Sequence, residues 1–245
     1  MTENYYANNA TEQEKIACGL IKNKQVYYAF GRNTVVGTTE VIVANGGVYG
    51  LPTTAETVTP TSNDIGDVVD GAGAWTIEIS GLDGNYNMIS EVVDMDSPSI
   101  LEYIRVFNAK VVEAGDVSVV DGGNIGLITI TQDTSTTEML TIPIGNSRNL
   151  SACFTVPAGY VGLMYDADTT TGSGKDAVLK LKSRVSTVNA PFVVKGVRGN
   201  YQNSVGQKFT YPTKYEEKED ILFTAKSSAA GTSVSASFQL VLIKM

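Results

Sequence analysis

The sequence predicts an all-β protein with a β-sandwich or jelly-roll-like fold, two packed β domains and one short N-terminal helix. Three observations carry that expectation. Short runs alternating apolar with polar residues recur along the chain: VYYAF, TEVIVA, WTIEI, LITIT, ACFTV, AVLKLKS, PFVVKGV, ILFTAKS and SFQLVLI. Successive side chains of a strand point to opposite faces, so such runs mark half-buried strands. Clusters of Gly, Asn, Asp, Pro and Thr separate them, and these are the residues turns require. Only one stretch, near the N-terminus, has a helical period, and no 20–50-residue repeat suggests a propeller or solenoid.

Residues 1–10 are polar and read as an arm. Thr11 and Glu14 fit a capping box, in which each side chain accepts from the other residue's free backbone N–H. Ile16, Leu20 and Ile21 follow at helical spacing, so the pattern predicts a helix over about 11–23 with an apolar stripe. Residues 25–59 read as two or three strands, interrupted at Gly31-Arg32-Asn33 and at Asn45-Gly46-Gly47, where Asn-Gly is a strong hairpin signal. Residues 60–72 form a loop. Strands are expected at about 74–80, 87–94, 100–113, 117–120 and 125–131. In the first of these, Trp75, Ile77 and Ile79 point one way, which predicts Trp75 buried between layers. In 100–113 both alternating sets are partly apolar, as for a strand lying between two layers. Residues 132–149 are a connection carrying one edge strand, because Pro143 cannot donate to a ladder. The pattern restarts at Leu150 as strand, Pro-Ala-Gly turn and strand. TTTGSGK at 169–175 is a loop, SSAAGTSVS at 227–235 contains a turn, and SFQLVLIKM ends the chain inside a sheet. The expected division is an arm and helix at 1–24, a first sandwich at 25–146 and a second at 150–245.

Across 245 residues, 42 % are hydrophobic and only 18 % charged, so uncharged polar residues must cover much of the surface. That suits a protein lying against neighbours. The net charge of −8 and a pI near 4.6 argue against nucleic acid, which needs a concentrated basic face. The densest charged run, KYEEKED at 214–220, has mixed sign and reads as a solvated loop. Cys18 and Cys153 read as small apolar residues rather than a disulfide. The polar, acidic N-terminus is not a signal peptide, and no apolar run approaches the roughly 18 residues needed to span a bilayer. The expectation is a soluble protein made inside the cell, with no membrane partner.

The chain has no histidine. The commonest general base, the commonest zinc ligand and the standard catalytic triad are therefore missing, and a cysteine nucleophile would lack its usual partner. A carboxylate-only glycosidase needs two suitably spaced acids, but Glu78 and Glu91 fall on exposed strand faces, so no enzyme is expected. Two acidic groups, Asp64, Asp67 and Asp70, and Asp166, Asp168 and Asp176, could in principle offer oxygens to calcium. Neither has the spaced pattern of a calcium loop, and turn chemistry explains them better. GSGK lacks the spacing of a phosphate loop. No cofactor or metal is expected.

The segments AFGRNTVVGTT, DGAGAWTIEISGLDGNYNMISEVVDM, RVFNAKVVEAG, GGNIGLITI and FTVPAGYVGLMYD occur in this order. Together they resemble a family of virion structural proteins of tailed bacteriophages, common in marine phages, that includes capsid decoration and head-fibre-like proteins. Phe30, Gly31, Arg32 and Asn33 match its first element. Gly71, Gly73, Ala74, Gly81, Leu82 and Asp83 match the second, Ser90 and Glu91 the third, and Thr155, Val156, Pro157, Ala158 and Gly159 the last. The resemblance covers about residues 29–165, departing in the longer polar N-terminus and after Arg184. It implies a non-enzymatic protein of the virion: a decoration, cement or short spike protein on the capsid surface, with the major capsid protein as partner. A homo-oligomer follows from the same comparison, a trimer by analogy with capsid threefold positions. The apolar stripe Ile16, Leu20 and Ile21 is the candidate anchor. The alternative is a tail-associated receptor- or glycan-binding protein, for which Tyr160, Tyr165, Tyr201, Tyr211 and Tyr215 are the candidate contacts.

Overall fold

The computed structural model describes residues 10–115, 123–172, 175–186, 190–201 and 204–245. One short helix, α1 (Glu12–Ala17), precedes the strands β1 (Lys24–Val36), β2 (Val41–Ile42), β3 (Val58–Ser62), β4 (Ala74–Leu82) and β5 (Met88–Asp94). There follow β6 (Arg105–Ala114), β7 (Ile128–Gln132), β8 (Glu138–Ile142), β9 (Cys153–Thr155) and β10 (Tyr160–Thr171). The chain ends with β11 (Asp176–Val185), β12 (Val193–Tyr201), β13 (Ser204–Tyr215), β14 (Glu219–Lys226) and β15 (Thr232–Lys244). The fold is all-β, and the pairings among these strands are antiparallel.

Four sheets make two sandwiches. In the medial one, β3-β7-β8 and β5-β4-β6 enclose a core that includes Val58, Ile77, Ile79, Val106, Ile130 and Leu140. In the terminal one, β1-β15-β10-β13 packs on β12-β11-β14-β2, with β9 also on β14, around Phe154, Met164, Leu179, Phe223, Phe238 and Leu240. The sheets do not follow the linear division expected at 25–146 and 150–245. β1 pairs with β15 from Lys24↔Ile243 to Val36↔Thr232, and β2 pairs with β14. Residues 24–42 therefore complete the sandwich formed by 153–244, and the medial sandwich is an insertion between them. Alternation marks strands but carries no information about which strand pairs with which. The last strand does end inside a sheet, between β1 and β10.

Several expected boundaries move, each for a local reason. The expected break at Gly31-Arg32-Asn33 is absent and β1 runs through it. A Cβ at Gly31 would lie 2.2 Å from both the Ala152 amide and the Val43 carbonyl, so this glycine serves close backbone approach. Asn45-Gly46-Gly47 forms a single 3₁₀ turn rather than a two-residue hairpin, with Gly46 and Gly47 at positive φ. The strand expected over 100–113 begins only at Arg105, and Ile100 is 90 % exposed. Residues 103–107 are nonetheless buried in succession, because Tyr103 and Val106 enter the medial core while Ile104 and Phe107 enter the terminal one. Trp75 is half-buried, not enclosed. The β4–β6 register shifts on both sides of Thr76, so Ala74 and Thr76 take the buried positions. The indole N–H then donates to the Gly71 carbonyl at 2.6 Å. The strand expected at 117–120 lies outside the described residues.

The sandwiches meet at a buried ionic centre. Arg105 Nε donates to Asp220 Oδ1 at 2.9 Å, and Nη2 to Asp220 Oδ2 at 3.0 Å and Ser186 Oγ at 2.8 Å. Nη1 donates to the carbonyls of Pro52 and Ile104 at 2.6 and 2.7 Å. All five N–H groups of the guanidinium are thus used. Asp220 also accepts from Thr155 Oγ1 at 2.6 Å and Arg184 Nε at 3.0 Å. Burial opposes the charge on Arg105, but the hydrogen bonds and field of Asp220 outweigh it and hold its pKa above the ordinary value. The run expected to be a solvated loop, 214–220, therefore supplies a fully buried carboxylate. Removing one member of a buried pair strands the other. Asp220→Ala should cost about 3–5 kcal/mol in equilibrium urea unfolding; a loss under about 1 kcal/mol, the range of surface pairs, would place the centre outside the stabilising contacts.

A second ionic clamp ties β2's approach to the terminal sandwich: Glu40 pairs with Lys180 and Lys182 of β11 and accepts from Thr224 Oγ1 of β14. Burial pushes the Glu40 carboxyl up, but the donors prevail and hold its pKa at about 2 against an ordinary 4.5. Because the folded-state value is depressed, this stability is present above about pH 4.5 and is lost as pH falls toward 2. Glu40→Gln should flatten the acid limb of a thermal-unfolding profile in that window and nowhere above it. An unchanged acid limb would remove Glu40 from the account.

Candidate functional site

The outer face of β1-β15-β10-β13 is apolar at its Val26 end and polar beyond it, where Tyr28 lies opposite Gln239 and Phe30 opposite Ser237. Alternation along β1 sends Tyr27, Ala29 and Gly31 toward the core and Val26, Tyr28 and Phe30 out, with Tyr28 56 % exposed. Val26 lies opposite Val241, which lies opposite Leu163, and in the next row Ile243 lies opposite Val161. The strip ends at exposed Tyr165, where the β10 registers shift between Met164 and Asp166. Contiguous apolar patches of this kind mark interaction surfaces on soluble proteins.

Helix α1 lies across one end of this face. The expected capping box is present: Glu14 N donates to Thr11 Oγ1 at 3.3 Å and Thr11 N to Glu14 Oε2 at 2.7 Å. The helix ends at Ala17, six residues short of the expected 23. Gly19, at φ 69°, donates to the Ile16 carbonyl, and Leu20 donates to that of Lys15, the pairing of a Schellman C-cap. Ile16 is buried against the protein's own sheet, and Glu12 pairs with Lys24 at the surface. The Lys24 hydrogen bond, then its charge, holds the Glu12 carboxyl below the usual range, and the Thr11 amide and hydroxyl do the same for Glu14. Between helix and sheet runs a groove of about 640 Å³, with Ile16 and Ala17 on one wall and Val26, Val241, Phe209 and Tyr165 on the other. The three candidate anchors are therefore not one stripe. Ile16 faces inward, Leu20 is 48 % exposed in the turn beyond the helix, and Ile21 is half-buried.

The remaining candidates have structural duties. Glu78 pairs with Lys110 at 3.0 Å. Glu91 accepts from the Ile100 and Leu101 amides and the Tyr103 hydroxyl. Asp67, fully buried, accepts from Ser62 Oγ and from the amides of Ala74, Ile125 and Gly126, knitting three loops, while Asp64 caps Gly66. Among the described residues, no group of three or more His, Cys, Asp or Glu is arranged to hold a metal, and no helix is long and apolar enough to cross a membrane. Cys18 is exposed and Cys153 buried, both as free thiols, and burial pushes the Cys153 thiol well up. The tyrosines do not gather. Tyr215 is buried, Tyr160 half-buried, Tyr165 lines the groove, Tyr211 is 85 % exposed and the Tyr201 side chain lies outside the described residues. Sequence reasoning passed over Val26, Tyr28 and Phe30, because both faces of VYYAF are apolar and alternation does not say which one is covered.

No protein-family model matches the chain, and no curated protein matches it. Among solved structures, a chain in the structure of infectious bursal disease virus Gx strain is similar at 9 % identity, over 89 % of this chain and 70 % of that one, with a TM-score of 0.22. A chain of the Gt strain structure gives 8 %, 91 %, 77 % and 0.19. Superpositions that loose argue for neither a shared fold nor a shared role.

Among the described residues, one buried side chain and one exposed ion pair hold α1 to the sheet, so it should open without global unfolding. Ile16→Ala should accelerate tryptic cleavage after Lys15 and Lys22 while leaving the global unfolding midpoint nearly unchanged. A matching fall in global stability would show that the helix belongs to the cooperative core.

Proposed function

We propose that the chain is a non-enzymatic structural protein of a tailed-bacteriophage virion. In this reading it sits on the capsid surface as a decoration, cement or short head spike protein. It self-associates, with a trimer expected, and contacts the major capsid protein through its N-terminal region. The observation that carries the reading is the apolar strip Val26, Val241 and Leu163 beside exposed Tyr28, Phe30 and Tyr165, crossed among the described residues by one short helix. A monomer in water gains nothing from that strip, whereas an assembled one buries it. The ordered family-like segments between residues 29 and 165 supply the particle.

The packing of Ile16 refines the anchoring. Leu20 and Ile21 are the apolar groups of the N-terminal region that remain open to a shell. The second reading, a tail-associated receptor- or glycan-binding protein, is supported by Tyr211, a nearly bare aromatic on β13.

Deleting residues 1–23 separates these views. The truncated protein should fold and self-associate yet fail to bind purified empty heads. Binding equal to the full chain would move the anchor elsewhere, and full-length protein found on tails and never on heads would overturn the capsid assignment.

A further inference from the structure

The two sheets of the terminal sandwich end on one side in β12 and β13, and both strands bulge there. In β12 the register with β11 shifts at Lys195, between Leu181↔Gly196 and Lys182↔Val194. In β13 four residues, Phe209 to Pro212, face the single β10 residue Tyr165, between Asp166↔Lys208 and Met164↔Thr213. Bulges guard edges, but they also re-aim side chains beside functional sites. These two flank one cavity of about 170 Å³, floored by Leu181, Phe209, Tyr215 and Phe223, with Lys195 and Arg198 at its mouth. Its origin is local. Gly196 and Arg198 lie opposite Leu181 and Leu179, two core residues, so both occupy inward positions of β12. Gly196 has no side chain to fill the space, and a Cβ there would meet nothing within 4 Å. Arg198 reaches across to β10, where its Nη1 donates to the Ala167 carbonyl at 2.8 Å.

We propose that this cavity binds a small organic carboxylate carrying a single ring or a short branched chain. The apolar body rests on Leu181, Tyr215 and Phe223, and the carboxylate meets Arg198 and Lys195 at the mouth. Volume and charge both select this class. Apolar cavities of about 150 Å³ take up benzene, so the space suits one ring rather than a long acyl chain. Among the described residues, the lining contributes two cations and no carboxylate. Two acids stand nearby, Glu219 and Asp168. Glu219 accepts from Ser183 Oγ and from the Glu216 amide at 3.0 Å, and Lys195 lies at a looser 3.8 Å from it. Asp168 supports the Arg198 charge, yet burial prevails and holds the guanidinium below its ordinary pKa. An anion at the mouth lowers that remaining cost, and the guanidinium fork matches a carboxylate. The site concerns this chain alone and does not rest on the capsid reading. A water-filled gap behind an edge-guarding Arg198 is the alternative.

Calorimetric titration of the full chain with benzoate separates the two. Benzoate should bind one to one, with affinity falling as salt rises. Benzylamine, of similar size and opposite charge, should bind at least about tenfold more weakly. Gly196→Leu should occupy the cavity and abolish benzoate binding while the urea midpoint holds or rises. Arg198→Gln, which leaves the cavity open, should weaken benzoate at least about tenfold. Absence of benzoate binding, equal binding of benzylamine, or benzoate binding that survives Gly196→Leu overturns the proposal. The first of these, joined to self-association of Arg198→Gln, would make Arg198 an edge guard and nothing more.

Discussion

The architecture turns on a charge placed where charge is costly. Arg105 sits at the start of β6, 1 % exposed, with its guanidinium between the two sandwiches. Such burial is tolerable only when every donor is met and a counter-charge is near. The five donors reach Asp220 of β14, Ser186 beyond β11, and the carbonyls of Pro52 and Ile104. Each partner comes from a different stretch of chain, so satisfying one side chain fixes the medial sandwich, the connection into it and the terminal sandwich together. Arg184 and Thr155 complete the carboxylate. Apolar contact alone would hold the halves together over many relative positions. A bidentate pair in a dry junction holds them in one.

That junction explains what was legible in the sequence and what was not. Period-2 alternation located most strands, and the turn residues located most breaks, because both are local properties. The capping box at Thr11 and Glu14 was equally legible. The helix length was not, since Gly19 ends the helix by adopting positive φ, while the spacing of Leu20 and Ile21 imitates a continuing stripe. Partner choice was not local either. Nothing in VYYAF or SFQLVLI says that they pair across 200 residues, which is why a linear division into two domains suggested itself. The mixed-charge run at 214–220 is the clearest case. Glu219 and Asp220 look like surface charge until Ser183, Thr155 and Arg105 are brought to them by the fold.

The candidate site shows the same limit in a milder form. The partly apolar outer face exists because β1 and β15 have usable apolar residues on both sides, and the core needs only one. What distinguishes Tyr28 from Tyr27 is which layer lies beneath, with Tyr27 stacked on Phe154 at 3.9 Å between centroids. Edge protection follows a similar logic. Pro212 is visible in the sequence, but its value as an edge guard depends on β13 being terminal. The surface thus combines two bulged edges, β12 and β13, with a partly apolar outer face. These features suit a protein that meets neighbours in defined directions.

The central claim is that the buried Arg105–Asp220 centre couples the two sandwiches into one folding unit. The chain carries its own pair of probes: Trp75, the only tryptophan, in the medial sandwich, and the buried Cys153 thiol in the terminal one. Urea unfolding followed in parallel by Trp75 emission and by Cys153 labelling, with Cys18 replaced by serine, reads the halves separately. The account predicts superimposable transitions with one midpoint and one slope. Two resolved transitions, with Cys153 becoming reactive while Trp75 keeps its native emission or the reverse, would contradict it.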